Sequence, residues 1–295
     1  MGEAVIVERL GYRPPLAIAE LFGFLGVRAV PGVESWDGHT YRRVLDLPGG
    51  PAIVGLSPRD GFVRCELDLD DPRDAETAIG RVRGLLDLDA DADVIEKVLR
   101  GDPRLAPLIA ARPGLRSPGH VDGAELAVRA LLGQQITVAA ARTLAGRLVV
   151  AAGRPLDHPR GDLTHCFPRP SEILTLGDRP IAGPAARSQA LVTMCEALVD
   201  GRVVIDIDAA LDGTVDRDDV RARLVALKGI GPWTAGYISM RALKDPDVFL
   251  PTDVAVRRGL ELAGITAGIA ADITARSEAW RPWRSYVIHH LWATL

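Results

Sequence analysis

The chain of 295 residues, with 47% hydrophobic and 25% charged side chains, has the composition of an ordinary water-soluble globular protein. That length can bury a sizeable core and predicts two or three subdomains. No run of about 18 apolar residues is present, and Met1–Ala4 carries neither the basic region nor the apolar core of a secretion signal. The three cysteines lie far apart, which predicts reduced core thiols in a cytoplasmic protein and argues against a zinc site or an iron–sulfur cluster.

The net charge of −4 is unevenly distributed along the chain. Residues 60–93 carry eleven acids against four arginines, a net −7, whereas residues 221–295 carry ten Lys and Arg against six acids, a net +4. A local basic face is enough to collect phosphates. The overall charge therefore neither supports nor excludes a nucleic-acid partner.

Residues 1–98 show the pattern of an α+β domain with an antiparallel sheet. Helical periodicity at Pro15–Ala29 and again at Arg73–Leu86 flanks a run of apolar segments separated by Pro- and Gly-rich turns. The predicted strands are Thr40–Leu47, Ala52–Leu56 and Phe62–Leu69. The last strand alternates apolar and charged side chains, so one face of the sheet is expected to be solvated.

From residue 123 onward the periodicity is mainly helical. The predicted helices are Ala124–Leu132, Thr137–Ala151, Ser188–Leu198, Arg221–Lys228, Pro232–Leu243, Asp253–Ala263 and Trp283–Leu295. Thr137 is expected to cap the second of them. Residues 153–185 are rich in Gly and Pro and are predicted to form loops around short helices.

A glycine-containing segment, Leu227–Pro232, separates two of these helices. Gly229 and Gly231 can take positive φ and leave their N–H groups unpaired. Pro232 suits the first turn of the next helix, where a missing N–H costs nothing. Helix, hairpin and helix together predict a phosphate-binding site made of backbone donors and a positive helix end.

This segment resembles the helix-hairpin-helix motif of the base-excision DNA glycosylases. Asp253 lies 22 residues after Gly231 and follows Phe249–Thr252 at a predicted helix start. Hairpin and acid together make the chain most similar to the alkylated-base branch, the 3-methyladenine DNA glycosylase II type. Further segments similar to the family extend over nearly the full length: Arg13–Pro15, Gly23–Gly26, Arg112–Leu115, Leu131–Gln134, Cys166–Pro168 and Trp280–Tyr286.

The resemblance implies an N-terminal domain built like half a TATA-binding protein, residues 1–98, followed by an all-α helix-hairpin-helix core. The core is expected to form two subdomains with the active-site cleft between them. One comprises residues 123–245 with the hairpin, and the other comprises residues 99–122 together with 246–295. The acidic N-terminal domain is expected to face away from DNA.

Asp253 is the candidate catalytic residue. By itself, an Asp after Pro251 and Thr252 at a helix start predicts an N-cap. The resemblance implies that the same carboxylate faces the sugar of the lesion. Because hydrolysis of an N-glycosidic bond passes through a sugar with oxocarbenium character, a fixed anion near the anomeric carbon lowers the barrier. It can also orient the attacking water.

Three aromatic residues are the candidates for the base pocket. Trp233 and Tyr237 are four residues apart and share a helix face, a pattern that core packing also explains. They lie where the family lines its pocket, as does Trp292. The resemblance implies that these rings hold a flipped base, where a cationic methylated purine gains a cation–π contribution of ~0.5–2 kcal/mol. Trp280 and Trp283 are expected to be structural.

The hairpin is predicted to hold one DNA phosphate through the N–H groups of Gly229 and Gly231 and the Thr234 hydroxyl. In relatives, carbonyl groups of the hairpin bind a monovalent cation, which implies a site for Na⁺ or K⁺ here. The implied ligands are the backbone carbonyls of Val225, Leu227 and Ile230. No cofactor is expected to be required for the reaction.

Gln134 and Gln135 lie in a loop between two predicted helices and are expected to contact DNA. Alkylated-base relatives often place an apolar wedge such as Leu in this loop, where it fills the gap left by the flipped base. Gln135 is polar, so it is either a polar wedge or a solvated loop residue.

The position directly after the hairpin distinguishes hydrolases from lyases in this family. Lyase-competent relatives place a Schiff-base lysine there, whereas this chain has Trp233, and Lys228 lies before the hairpin on the preceding helix. The expected function is therefore that of a monofunctional glycosylase. It is expected to release 3-methyladenine and 7-methylguanine from duplex DNA, as a monomer, in the cytoplasm at the nucleoid.

Two alternatives remain open. The first is a glycosylase for uracil, hypoxanthine or mismatched bases, which would need side chains complementary to a neutral base. The second is a non-catalytic protein that uses the hairpin to bind damaged DNA. Asp253 argues against the second, since a pure binder has no use for a carboxylate facing the sugar.

Overall fold

The computed structural model describes residues 5–266 and 268–295, so Met1–Ala4, considered above for a secretion signal, lies outside the described residues. The chain has the predicted α+β architecture, an N-terminal antiparallel sheet followed by helices. No helix in the described part is long and apolar enough to cross a membrane. Cys65, Cys166 and Cys195 are free and buried, as predicted.

In the part of the chain that the structure describes, five antiparallel strands form the N-terminal sheet. They are β1 (Ile6–Gly11), β2 (Glu34–Trp36), β3 (Tyr41–Leu47), β4 (Gly50–Arg59) and β5 (Phe62–Leu69). Their spatial order is β1-β5-β4-β3-β2. Two helices, α1 (Ile18–Gly26) and α2 (Ala75–Leu86), bury their apolar sides against this sheet in one hydrophobic cluster.

The sequence analysis predicted three strands and missed the two at the edges of the sheet, β1 and β2. Strand β5 has the predicted bounds, and its alternation is confirmed because Val63, Cys65 and Leu67 are buried while the charged residues between them are half-exposed. Strand β1 is mostly exposed and β2 has only three residues. Neither carries the alternation of buried and exposed side chains that identifies a strand in a sequence.

The rest of the chain is mainly helical, with short turns of 3-10 helix at Pro72–Asp74 and Glu278–Trp280. The helices are α3 (Ala92–Leu99), α4 (Ala106–Ala111), α5 (Gly123–Leu132), α6 (Val138–Ala152), α7 (Pro170–Leu174), α8 (Ala185–Val199), α9 (Ile207–Leu211), α10 (Arg217–Val225), α11 (Pro232–Ala242), α12 (Val254–Leu262), α13 (Ala270–Ser277) and α14 (Arg284–Trp292). Thr137 caps α6 as predicted, its side chain accepting the Ala140 N–H at 3.2 Å.

A second, two-stranded sheet was not predicted. Within residues 153–185, β6 (Pro155–Arg160) pairs antiparallel with β7 (Leu163–His165), so the expectation of loops around short helices was wrong there. Gly161, at φ +58°, forms the turn between the strands. Most side chains of β6 are exposed, which left no apolar pattern to distinguish it from a loop.

Among the described residues, three hydrophobic clusters hold the fold together. One lies between the sheet and the helices α1 and α2. The largest joins the other face of the sheet, through Val44, to α5, α6, α8 and the two hairpin helices. The third is formed by α3, α4, α12 and α14, with Met240 of α11 and the fully buried Trp280. The division of the chain at residues 98, 122 and 245 remains a prediction.

Candidate active site

The helix-hairpin-helix segment is formed by α10, the turn at residues 226–231, and α11. Helix α10 ends at Val225, earlier than predicted, so Lys228 lies in the turn and not on a helix. The Ile230 N–H donates to the Leu227 carbonyl at 3.1 Å and closes the turn. Lys228 is exposed in this turn.

Only one hairpin glycine has a left-handed backbone. Gly229 has φ +93°, whereas Gly231 has φ −92° and is the N-cap of α11, so the expectation of positive φ at both was wrong for Gly231. Pro232 occupies the first position of α11, as predicted. The N–H groups of Trp233 and Thr234 follow and have no intrahelical acceptors, because they belong to the first turn.

Gln134 connects the loop between α5 and α6 to this hairpin. Its side-chain amide donates to the Gly229 carbonyl at 3.1 Å and to the Thr234 hydroxyl at 2.9 Å. Thr234 is buried, so its hydroxyl meets Gln134 inside the fold. The predicted phosphate contact of this hydroxyl stays a prediction, and the backbone N–H groups are the donors that the geometry offers.

Gln135, next in the chain, is exposed at the rim of a cleft and has φ +58°. Positive φ is uncommon for residues other than glycine and is often found at functional sites. The Gln135 side chain forms no hydrogen bond with any described residue. It is therefore free to extend from the rim.

Asp253 is the N-cap of α12, as the sequence predicted, and its carboxylate is held from three directions. Oδ1 accepts the Val256 N–H at 2.8 Å and the Trp292 indole N–H at 3.1 Å. Oδ2 accepts the Trp233 indole N–H at 2.8 Å. Such bonds to an ionised acceptor are short and strong, so the anion is fixed in place at the cleft.

The three predicted pocket aromatics lie together. The rings of Trp233 and Tyr237 stack with centroids 5.5 Å apart and planes 7° apart. Tyr237 and Trp292 are 6.3 Å apart at 47°. With Asp253 and Gln135 they line an open cleft of about 1060 Å³, at the upper end of the range of ligand sites. An anion and a set of aromatic rings thus share one cleft beside the hairpin.

Comparison with known proteins identifies the family. A family model described as the AlkA N-terminal domain matches residues 7–122. The chain is also 32% identical over 291 residues to DNA-3-methyladenine glycosylase 2 of Escherichia coli (strain K12), covering 97% of this chain and 96% of that protein. The chain belongs to the DNA-3-methyladenine glycosylase 2 (AlkA) family.

A more similar relative is longer. The protein named "Probable bifunctional transcriptional activator/DNA repair enzyme AlkA" from Mycobacterium tuberculosis (strain ATCC 25618 / H37Rv) is 45% identical over 287 residues, which cover 97% of this chain and 56% of that protein. The chain thus spans about half the length of this curated relative. The 3-methyladenine DNA glycosylase from Archaeoglobus fulgidus, with a TM-score of 0.80 at 19% identity over 97% of both chains, has the same fold.

In this AlkA-family chain the N-terminal domain forms part of the cleft wall. Phe24, on α1, stacks on Trp292 with centroids 6.4 Å apart and planes 12° apart. The Arg28 guanidinium lies 3.7 Å above the Phe24 ring and lines the cleft. The end of α1 therefore lies at the cleft, while the expectation that the acidic domain faces away from DNA stays a prediction. Its sequence gives no signal, because Phe24 fits the apolar side of a core-facing helix.

Arg241 is a further cleft residue that the sequence did not indicate. It is buried, and it donates to the Tyr237 hydroxyl at 2.9 Å and to the Gly119 carbonyl at 2.8 Å. Burial raises the pKa of Tyr237, but the nearby Arg241, Arg28 and Arg129 outweigh it and lower that pKa overall. A lone arginine in a helical pattern normally indicates a solvated face, which explains why it was missed.

A buried cluster of ion pairs packs behind the part of the cleft wall that the end of α1 forms. Arg43 pairs with Glu34 at 3.2 Å and with Glu125 at 2.8 Å, and Arg129 pairs with the same two carboxylates at 2.9 and 2.7 Å. Burial raises the pKa of Glu34, yet Arg129 and Arg43 together lower it. Arg129 also donates to the Arg28 carbonyl at 2.8 Å. The cluster therefore fixes the segment after α1 against α5.

The proposed cation ligands fit a hard monovalent ion. Val225 ends α10, and the carbonyls at a helix C-terminus lack intrahelical partners and carry partial negative charge. The Leu227 carbonyl accepts the Ile230 N–H and keeps a second lone pair, while the Ile230 carbonyl accepts no hydrogen bond from the described residues. These oxygens suit Na⁺ or K⁺, and their role as ligands stays a prediction.

Proposed function

We propose that this protein is a monofunctional DNA glycosylase that hydrolyses the N-glycosidic bond of alkylated purines in duplex DNA. The observation that carries the proposal is the Asp253 carboxylate, fixed by the indoles of Trp233 and Trp292 at the edge of an aromatic cleft. The names of the E. coli and Archaeoglobus relatives, a DNA-3-methyladenine glycosylase and a 3-methyladenine DNA glycosylase, support it. We propose 3-methyladenine and 7-methylguanine as the released bases.

Each part of the site has a role in this reaction. The hairpin N–H groups bind a phosphate of the damaged strand and bring its sugar next to Asp253. The flipped base stacks on Tyr237 and Trp292, which favours a cationic methylated ring. As the bond to the base breaks, the Asp253 anion stabilises the positive charge that develops on the sugar. A base that already carries positive charge leaves as a neutral molecule and needs no acid.

A cation on the carbonyls of Val225, Leu227 and Ile230 would contribute positive charge near the bound phosphate. We also propose that the protein acts as a monomer in the cytoplasm, at the nucleoid. Its proposed partner is double-stranded DNA that contains alkylated bases.

The test is to incubate methylated genomic DNA with the protein and identify the free bases by mass spectrometry. Release of methylated purines above a no-enzyme sample is expected. Release of uracil or hypoxanthine alone, from DNA that contains them, would favour the first alternative. Binding to methylated DNA without any released base would favour a non-catalytic binder.

Borohydride is expected to trap no covalent protein–DNA adduct, and strand cleavage at the site of base loss is expected to be absent. The position of a Schiff-base lysine is occupied by Trp233, whose indole N–H is engaged by Asp253 at 2.8 Å. The chain has only three lysines, and Lys244 pairs with Asp87 while Lys97 lies on α3. A trapped adduct would contradict a simple hydrolase, and its loss in Lys228→Arg would identify the nucleophile.

Gln135→Ala is expected to slow excision from fully paired DNA about tenfold, equivalent to ~1.4 kcal/mol. Extracting a base costs a few kcal/mol of stacking and pairing, and the exposed Gln135 side chain at the cleft rim is placed to fill the gap. It can also hydrogen-bond the orphaned partner base. Single-turnover rates on paired and mismatched lesions measure the effect, which should be smaller on the mismatch.

Gln135→Leu is the matched variant for this loop, because it refills the space and should restore much of the rate. Equal rates for wild type and Gln135→Ala on the paired lesion would mean that Gln135 is only a solvated loop residue.

A further inference from the structure

The short loop between α5 and α6 is held by two distant elements of the fold. The Gln134 side chain reaches the hairpin, where it donates to the Gly229 carbonyl and to the Thr234 hydroxyl. The main-chain carbonyl of Gln134 accepts a hydrogen bond from Nη2 of Arg187, on α8, at 2.9 Å. The hairpin and α8 are therefore both bonded to the residue that directly precedes Gln135.

The bond from Arg187 fixes the peptide group that joins Gln134 to Gln135. Gln135 has φ +58°, a strained conformation for a residue with a Cβ. Rotating this peptide group by about half a turn would return φ of Gln135 to negative values, as in the exchange of a type II for a type I turn. That rotation would turn the carbonyl away from Arg187 and break a bond that is strong because its donor is charged. Arg187 therefore opposes the relaxation of Gln135.

The position of Arg187 has no other explanation in the described part of the chain. Its side chain is half-buried, forms no ion pair with any described residue, and makes its hydrogen bond to the loop. On the other side of Gln135, Thr137 caps α6 and accepts the Ala140 N–H at 3.2 Å. The strained residue thus lies between two anchored neighbours.

We propose that Arg187 is a positioning residue that holds Gln135 at the cleft rim in the conformation in which it fills the gap left by the flipped base. The inference rests on the proposed function and on the gap-filling role expected of Gln135. Because Gln134 also binds the hairpin, the phosphate-binding segment and the gap-filling side chain are held at a fixed separation before DNA binds. Such preorganisation lowers the cost of ordering the loop when the duplex is opened.

The test measures how strongly base release depends on pairing of the lesion. Two synthetic duplexes carry the same 7-methylguanine, which lies opposite cytosine in one and opposite a one-nucleotide gap in the other. Single-turnover rates on the two give a paired-to-gapped ratio for each variant. Loss of a gap-filling side chain lowers this ratio, because it matters most where pairing must be broken. The ratio does not depend on the fraction of folded protein, so a merely structural role of Arg187 would not change it.

Arg187→Met, which keeps the length of the side chain and removes its charge and donors, is expected to lower the ratio about fivefold, or ~1 kcal/mol. Arg187→Lys can still donate to the Gln134 carbonyl and should lower it less. Arg179→Met is the matched control, because Arg179 is an exposed arginine outside the cleft that also donates to a main-chain carbonyl, that of Gly183, at 3.2 Å. This control should keep the wild-type ratio.

Combining Arg187→Met with Gln135→Ala tests whether Arg187 acts through Gln135. The double variant should have the same ratio as Gln135→Ala alone, because no side chain is left to position. A further fall of the ratio in the double variant would show that Arg187 acts independently of Gln135, and it would refute the proposal.

A wild-type ratio in Arg187→Met would overturn the assignment, as would equal losses of rate on both duplexes, which indicate a direct phosphate contact. If that variant does not fold, Arg187→Gln, which also removes the charge, decides by the same ratio: a lowered ratio supports the proposal and a wild-type ratio refutes it. Equal ratios for wild type and Gln135→Ala would leave nothing to position and refute the proposal while base release continues. Failure of the proposed function looks different, because the wild-type protein would then release no methylated purine from either duplex.

Discussion

Asp253→Asn is expected to lower the single-turnover rate of base release by about a hundredfold to a thousandfold, equivalent to ~2.7–4 kcal/mol. The change keeps the size of the side chain but removes the anion that faces the developing sugar cation. Affinity for damaged duplex DNA should be largely retained, because the proposed phosphate contacts are made by the hairpin backbone. Single-turnover kinetics and equilibrium binding on the same defined lesion measure the two effects separately.

The hydrogen bonds of Asp253 refine this expectation. An Asn can still accept the Val256 N–H through its amide oxygen, but its NH₂ group then faces the Trp233 indole N–H, and two donors meet. Leaving a partly buried donor without an acceptor costs about 1–3 kcal/mol, so some loss of stability accompanies the loss of rate. Free energies of unfolding have to be measured beside the rates.

Asp206→Asn is the matched control, because Asp206 also caps a helix, α9, and accepts the Ala209 N–H at 2.9 Å outside the cleft. Because Asn caps a helix about as well as Asp, this variant should keep both the stability and the rate of base release of the wild type. A near-normal rate in Asp253→Asn would remove Asp253 from the reaction and return it to the role of an N-cap.

The residues that sequence patterns could identify share one property: their signal is local. Trp233, Tyr237 and Asp253 lie in or near the hairpin segment that resembles the family, and that resemblance implied their roles in the base pocket and in catalysis. Strand β5 was identified for the same reason, since alternation within eight residues decides its type. Such features need no knowledge of which distant segment packs against them.

The missed residues depend on contacts between distant parts of the chain. Arg28 reaches the cleft because Arg129, 101 residues later, holds its carbonyl. Gln134 was predicted as a site residue, but its contact with the hairpin at Gly229, 95 residues further along the chain, was not. Neither contact has a periodicity or a motif of its own, because tertiary packing alone brings the partners together. The same holds for Phe24, whose sequence context is that of a core helix.

The edge strands were missed for a different reason, which is that backbone pairing and not side-chain pattern defines them. Strand β1 takes its place by pairing with β5, with Ile6 opposite Leu67 and Leu10 opposite Val63. Its own side chains are mostly exposed, so the backbone ladder and not an apolar face defines it. Backbone pairing leaves no trace in residue type, which is why the register of a sheet is easier to predict at its centre than at its edges.

Gly229→Ala is expected to lower the free energy of unfolding by about 2–5 kcal/mol. Gly229 has φ +93°, a conformation that costs an L-residue with a Cβ about 1–2 kcal/mol. The new Cβ would also lie 2.5 Å from the Cβ of Ala190 on α8, and relieving such overpacking typically costs a further 1–3 kcal/mol. Chemical denaturation followed by circular dichroism measures the change.

Gly231→Ala, two residues away, is the control for Gly229→Ala. It removes a hairpin glycine without imposing backbone strain. Gly231 has φ −92°, and a Cβ there would have no neighbour within 4 Å, so the substitution fits the fold. Ala caps the helix less well than Gly, which destabilises the fold, but it also reduces the conformational freedom of the unfolded chain, which stabilises the fold. The free energy of unfolding should therefore stay within about 1 kcal/mol of the wild type. Equal losses in the two variants would contradict the assignment of the left-handed turn to Gly229. A stable Gly231→Ala that loses DNA affinity would instead place the phosphate in the open space beside Gly231.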